Sequence, residues 1–148
     1  MKTTVKTSLC LVLLVVIVAA MGSITHRQGG QESTGQDLKG LIPWRGDMDS
    51  ARRDAIAANK PLLVEFMASW CPDCQEMARQ TWTQPPIAAA MRTFVPVLID
   101  VDAQPELTRQ YNIAAIPSLF VVDPKSGTIT REIRDRVLSP EELLAWLK

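Results

Sequence analysis

The run Leu62 to Ala68 (LLVEFMA) is apolar at every position but Glu65, and it ends three residues before Cys71. Such a run suits a central strand buried on both faces, which requires helices packed over the sheet. Cys71-Pro72-Asp73-Cys74 then falls where the pattern predicts a helix, Pro72 to about Trp82. A buried strand that delivers two cysteines to a helix start constrains both the fold and the chemistry.

The rest of the chain alternates in the same way. Asp47 to Asn59 is rich in Ala and charge and predicts an exposed amphipathic helix, stopped by Lys60-Pro61. Pro85-Pro86 predicts a break before helix resumes from Ile87 to Thr93. Phe94 to Val101 reads as a strand, with Pro96 predicting irregular pairing near its start. Pro105 to Tyr111 reads as a short helix and Ser118 to Val122 as a strand. Asp123 to Gly127 carries turn chemistry into a half-exposed strand, Thr128 to Arg134. Ser139, Pro140 and Glu142 supply an N-cap, an N1 proline and an N3 glutamate for a closing helix. Early βαβ units followed by a hairpin predict an α/β fold with a mixed central sheet flanked by helices.

The amino terminus is of another kind. Lys2 and Lys6 precede thirteen uncharged apolar residues, Leu9 to Met21. As a helix these would span roughly 20 Å against about 30 Å of hydrocarbon, and small Ala19-Ala20 offers a cleavage site. Residues 1–24 therefore read as either a signal peptide or a membrane anchor, and both place the remainder outside the cytoplasm. Cys10 lies at the start of the apolar run, where it reads as a small apolar residue. Residues 25–40 are polar and rich in Gly, Gln and Ser, a flexible linker that holds His26, the only histidine. Residues 41–148 remain for one domain. Lys+Arg and Asp+Glu balance at 16 each, which removes any electrostatic reason to propose nucleic acid as a partner.

Three chemistries compete for Cys71 and Cys74. A structural zinc site needs four Cys or His ligands, and the other candidates, Cys10 and His26, lie in the apolar segment and the linker. A structural disulfide is the generic expectation for an exported chain. Closing a loop with two intervening residues removes little denatured-state entropy, so it would stabilise the fold only slightly. A redox couple fits better. At a helix start, unpaired N–H groups and the helix dipole favour a thiolate on Cys71, while helical spacing brings Cys74 within roughly 5 Å, Cα to Cα. Cys71 would attack and Cys74 would resolve.

LLVEFMASWCPDC followed by YNIAAIPSLFVVD resembles the thioredoxin family, in which a strand meets a Trp-Cys-x-x-Cys helix start and an Ile-Pro precedes the next strand. Within that family, WRGDMDSARRDAIAANKPLLVEF is most similar to the C-terminal domain of the disulfide interchange protein DsbD and its stand-alone relatives. The resemblance covers Trp44 to Lys148. It implies a thioredoxin fold and a cis bond at Ile116-Pro117, whose loop faces the cysteines and offers Ile116 backbone groups to an extended substrate. The 46 residues from Cys71 to Pro117 leave no room for the helical insertion of DsbA-like oxidants.

The resemblance also bears on the flanking residues. Glu65 stands six residues before Cys71, where thioredoxins carry a buried Asp that handles the resolving cysteine's proton. It is thus a candidate relay for Cys74, with a solvent-facing strand residue as the plain alternative. The chain departs from thioredoxins in using Glu, and in having no basic residue between Phe94 and Val101. Trp70 and Pro72 are candidates for the surface around Cys71. Asp73, a carboxylate inside the motif, disfavours the Cys71 thiolate and tilts the couple toward a reductant.

The expected function is that of an exported thiol:disulfide oxidoreductase with no bound cofactor, since the dithiol itself carries the electrons. Its partners would be disulfide-containing exported proteins and a DsbD- or CcdA-like membrane electron donor. The alternatives are a disulfide-forming oxidant or isomerase, and a thioredoxin-like adaptor with a structural disulfide.

Overall fold

A computed structural model of the protein describes residues 40–148. The signal or anchor segment, nearly all of the linker, Cys10 and His26 lie outside the described residues. Among the described residues no helix is long and apolar enough to cross a membrane.

The elements in chain order are α1 (Met48–Ala58), β1 (Leu62–Met67), α2 (Pro72–Gln80), α3 (Pro85–Met91) and β2 (Val95–Asp100). They continue with α4 (Pro105–Gln110), β3 (Ser118–Val122), β4 (Ile129–Arg134) and α5 (Pro140–Leu147). The sheet order is β2-β1-β3-β4. β1 runs parallel to β2 and antiparallel to β3, and β4 closes the sheet antiparallel to β3. The sheet is therefore mixed, with β1 inside it, as the apolar run predicts.

Alternation along β1 divides the core. Leu63 packs on one face with Met77 and Trp82 from the α2 region, Ile87 and Met91 of α3, and Leu143 and Leu147 of α5. Leu62, Val64 and Phe66 pack on the other with Met48, Ala51 and Ala55 of α1 and Tyr111. There Phe66, Tyr111 and Phe120 meet with ring centroids 5.1–5.6 Å apart, an aromatic cluster in the favoured tilted and edge-on arrangements.

Two local expectations are corrected. Pro85-Pro86 does not precede α3 but opens it: Gln84 is the N-cap and the prolines occupy the first turn, where no N–H is needed. Pro96 does not disturb pairing, because β1 and β2 stay in register from Leu62↔Val95 to Met67↔Asp100. β2 is the sheet edge, and Pro96 turns its backbone outward, where its carbonyl accepts from the Arg45 amide at 3.1 Å. The missing N–H therefore falls on the side that makes no ladder bond with β1. α1 ends at Asn59 in the left-handed region (φ 51°), ahead of Lys60-Pro61. The closing helix has the expected capping box between Ser139 and Glu142.

Register decides where the functional loops meet. Phe66 pairs with Ser118 and Met67 with Asp100, so the segments after β1, after β2 and before β3 emerge at one end of the sheet. Arg134 pairs with Ser118, which brings the end of β4 to the same edge.

Candidate active site

Cys71 is the N-cap of α2, and Pro72 takes the first helical position. The helix starts here because β1 has run out of partners and Pro72 has the φ that a first turn requires. Cys71 and Cys74 are joined in a disulfide with Cα atoms 5.3 Å apart, matching the spacing expected from helical geometry. The Cys74 amide donates to Cys71 Sγ at 3.1 Å. This N–H is one of the helix's unpaired donors, and in the dithiol form it would favour charge on that sulfur. The two cysteines are almost equally covered, 3% and 2% exposed, so accessibility does not distinguish them.

Around the disulfide stand Ala68, Met67, Val101 and Ile116. The Ile116-Pro117 peptide bond is cis. The carbonyl oxygen of Ile116 lies 3.7 Å from Cys71 Sγ, so the loop faces that sulfur. Ser118 Oγ donates to Ala115 O at 2.8 Å and ties the loop back on itself.

Trp70 is 63% exposed, unusual for a large apolar side chain. Its indole N–H donates to Asp102 Oδ2 at 2.6 Å. Asp102 in turn sits in a turn held by Asp100, whose Oδ1 accepts from the Asp102 amide at 2.9 Å. Sequence reasoning misses Asp102, because its pairing with Trp70 depends on the β1–β2 register and no local motif announces it. Asp73 lies exposed in the first turn of α2.

Glu65 is not solvent-facing. It is 2% exposed, and by strand alternation it shares the Leu63 face, which α2 covers with Met77. Cys74, one helical turn before Met77, packs with Cys71 and Ala68, and Met67, on Glu65's side of the strand by alternation, packs against them. Burial pushes the Glu65 carboxyl up to about 8, and the Trp82 indole beside it opposes the shift. The contact with Trp82 does not reach hydrogen-bond geometry: Glu65 Oε2 and Trp82 Nε1 both lack a partner. From the sequence Trp82 reads as ordinary core or helix surface, and nothing there places its ring beside Glu65. The site thus gathers Cys71, Cys74, Ile116 and Pro117, sets Trp70 and Asp73 on its rim, and keeps Glu65 behind the helix.

Disulfide exchange at a helix start, backed by this mixed sheet and a cis-proline loop, is the chemistry of thioredoxin-fold thiol:disulfide oxidoreductases, and the enzyme is of that class. More narrowly, the family model described as Thioredoxin-like matches residues 43–124, more than half of the chain, and the protein belongs to that family. The thiol:disulfide interchange protein DsbD of Ralstonia nicotianae is 35% identical over 99 residues, covering 62% of this chain and 16% of that one. A thioredoxin of Mycolicibacterium smegmatis is 30% identical over 85 residues, covering 57% of this chain and 74% of that one. The DsbD C-terminal domain of Neisseria meningitidis, in its oxidised form, superposes with a TM-score of 0.58 at 28% identity, covering 70% of this chain and 95% of that one. The chain thus spans about a sixth of the Ralstonia DsbD and nearly all of the isolated Neisseria C-terminal domain.

Proposed function

We propose that the enzyme reduces disulfides of proteins outside the cytoplasm, using electrons passed to Cys71–Cys74 by a membrane reductase. The observation that carries this reading is the Cys74 amide aimed at Cys71 Sγ at 3.1 Å, which makes Cys71 the better nucleophile of the two. The Cys71 thiolate attacks one sulfur of a substrate disulfide, and the other leaves as a thiolate that takes up a proton. Glu65, as carboxylate, then accepts the proton of Cys74. Cys74 attacks Cys71 Sγ, the bond from Cys71 to substrate breaks, and the second substrate thiol is released. Two electrons have moved to substrate, and the enzyme is left as the disulfide. Trp70, Pro72 and Ile116-Pro117 form the surface on which an extended substrate segment lies.

The likeness to DsbD supports the membrane donor. The basic start and apolar run of residues 1–24, whether signal or anchor, support export of the 41–148 domain across the 25–40 linker. The Asp73 carboxylate supports the reducing direction.

Trapping tests the assignment. In Cys74→Ser the reaction stops after the first attack, so mixed disulfides with exported proteins should accumulate through Cys71. If accumulation requires Cys71→Ser instead, the two roles are reversed. If neither variant captures a partner, the pair is structural.

A further inference from the structure

Glu65 and Trp82 form a buried encounter between an acceptor and a donor, neither of which is otherwise engaged. Glu65 Oε2 and Trp82 Nε1 both lack a hydrogen-bond partner, and each residue is 2% exposed. Packing confines both side chains to this neighbourhood and leaves them only the small adjustment that would bring donor to acceptor. Glu65 is fixed inside the sheet between Leu98 on β2 and Leu119 on β3. The Trp82 ring is held edge-on by Trp44, with centroids 5.0 Å apart, and its backbone amide donates to Met77 O at 3.0 Å. The neighbouring Thr81 hydroxyl donates to Leu138 O at 2.7 Å and locks this turn against the segment leading to α5.

We propose that Trp82 is a positioning residue for Glu65, its indole N–H closing on the carboxylate when Glu65 gives up its proton. The inference rests on the reading of Glu65 as the proton relay for Cys74. An indole N–H is a donor only, so it has no way to use the proton of a neutral carboxylic acid. Ionisation removes that proton and makes the acceptor charged, which roughly doubles the strength of the bond. The neutral acid's carbonyl oxygen can still accept from the indole, but only weakly, so the contact is weaker in the acid form and tighter in the carboxylate form. Trp82 acts here without help from a nearby charge. α2, α3 and α5 present apolar side chains to this face, and β2 and β3 flank Glu65 with leucines. No arginine, lysine or second carboxylate contributes to the Glu65 shift. On the same side of the sheet Asp100 accepts from the Asp102 and Ala103 amides, and Arg131 lies over the Trp146 ring of α5. Both are engaged elsewhere, and the Cys74 thiol of the reduced enzyme is the group whose proton the relay would take. Trp82 would thus set the pH at which Glu65 becomes competent to take that thiol's proton.

The test is made on the full chain, with the pH dependence of exchange between the reduced enzyme and a peptide disulfide as the first readout. Wild type should show a limb that rises as Glu65 ionises. Trp82→Phe, which keeps an aromatic ring and removes the donor, should move that limb up by about one pH unit, the worth of a hydrogen bond to a charged group. A merely structural Trp82 would lower stability and leave the limb where it was. The second readout is the indole ¹⁵N–¹H resonance of Trp82 in the oxidised enzyme. It should follow Glu65 through its ionisation in wild type and stay flat in Glu65→Gln. This arm decides the matter even if Trp82→Phe does not fold. A resonance that ignores Glu65, or a limb unmoved by Trp82→Phe, overturns the inference and leaves the relay standing. A limb that survives Glu65→Gln overturns the relay and the inference with it, even where the indole still titrates.

Discussion

The amide of Cys74 donates to Sγ of Cys71 over 3.1 Å, so in the dithiol form this N–H would favour charge on the Cys71 sulfur. The two side chains are equally buried, and the difference between them is this donor and the helix behind it. Limiting iodoacetamide near neutral pH should label Cys71 in preference to Cys74 by about tenfold, the effect of roughly one charge-assisted hydrogen bond. Peptide mass spectrometry reads the ratio, and preferential labelling of Cys74 would reverse the roles.

Glu65 predicts an unusual dependence of stability on pH. Its carboxyl is raised from an ordinary value of 4.5 to about 8 by burial. Below pH 4.5 it is protonated in both folded and unfolded chains and adds no pH-dependent cost. Between 4.5 and 8 the unfolded chain releases the proton and the folded one keeps it, so this residue lowers stability steadily as pH rises. Glu65→Gln should therefore raise the melting temperature over wild type at pH 8, with the gap closing toward pH 4.5. Thermal unfolding at those two pH values measures it. A gap that grows on acidification would mean that the carboxyl is ionised in the fold.

Asp102 predicts a split between large and small substrates. Its carboxylate holds the exposed Trp70 ring beside Cys71 through a 2.6 Å bond. Asp102→Ala should slow reduction of protein disulfides about fivefold, the worth of one hydrogen bond, and change reduction of a small aromatic disulfide less. Equal losses on both substrates would show that Asp102 acts on the cysteines themselves.

What the sequence reveals and what it hides divide along physical lines. The continuous apolar run of β1, the proline and cysteines at the start of α2 and the Ser139 capping box are local signals, and each element forms where they place it. Pro96 misleads because a proline's effect depends on which side of the strand carries the ladder, and that depends on β2 being the edge. Pro85-Pro86 misleads because a proline that breaks a helix and one that begins it look alike without the chain's path. Asp102 beside Trp70, and Trp82 beside Glu65, arise from strand register and helix packing, so no spacing in the sequence announces them. The cis bond at Ile116-Pro117 is expected from the family resemblance, not from the residues by themselves.

Asp73 sits in the first turn of α2, two residues after Cys71, where its charge opposes the helix dipole. Asp73→His removes that repulsion, stabilises the thiolate and hence the reduced form, and should raise the reduction potential by roughly 30 mV. Because the carboxylate is exposed, the shift should shrink as salt is added. Redox titration of the variant at two ionic strengths checks both statements; a downward shift contradicts them.

The equilibrium reduction potential of Cys71–Cys74, measured against a glutathione series, bears most directly on the assignment as a reductant. The helix start and Asp73 pull in opposite directions, and their balance predicts a value of roughly −200 to −270 mV, closer to thioredoxin than to DsbA. A couple near about −120 mV would instead be an oxidant, and one below about −300 mV that exchanges slowly would be a structural disulfide.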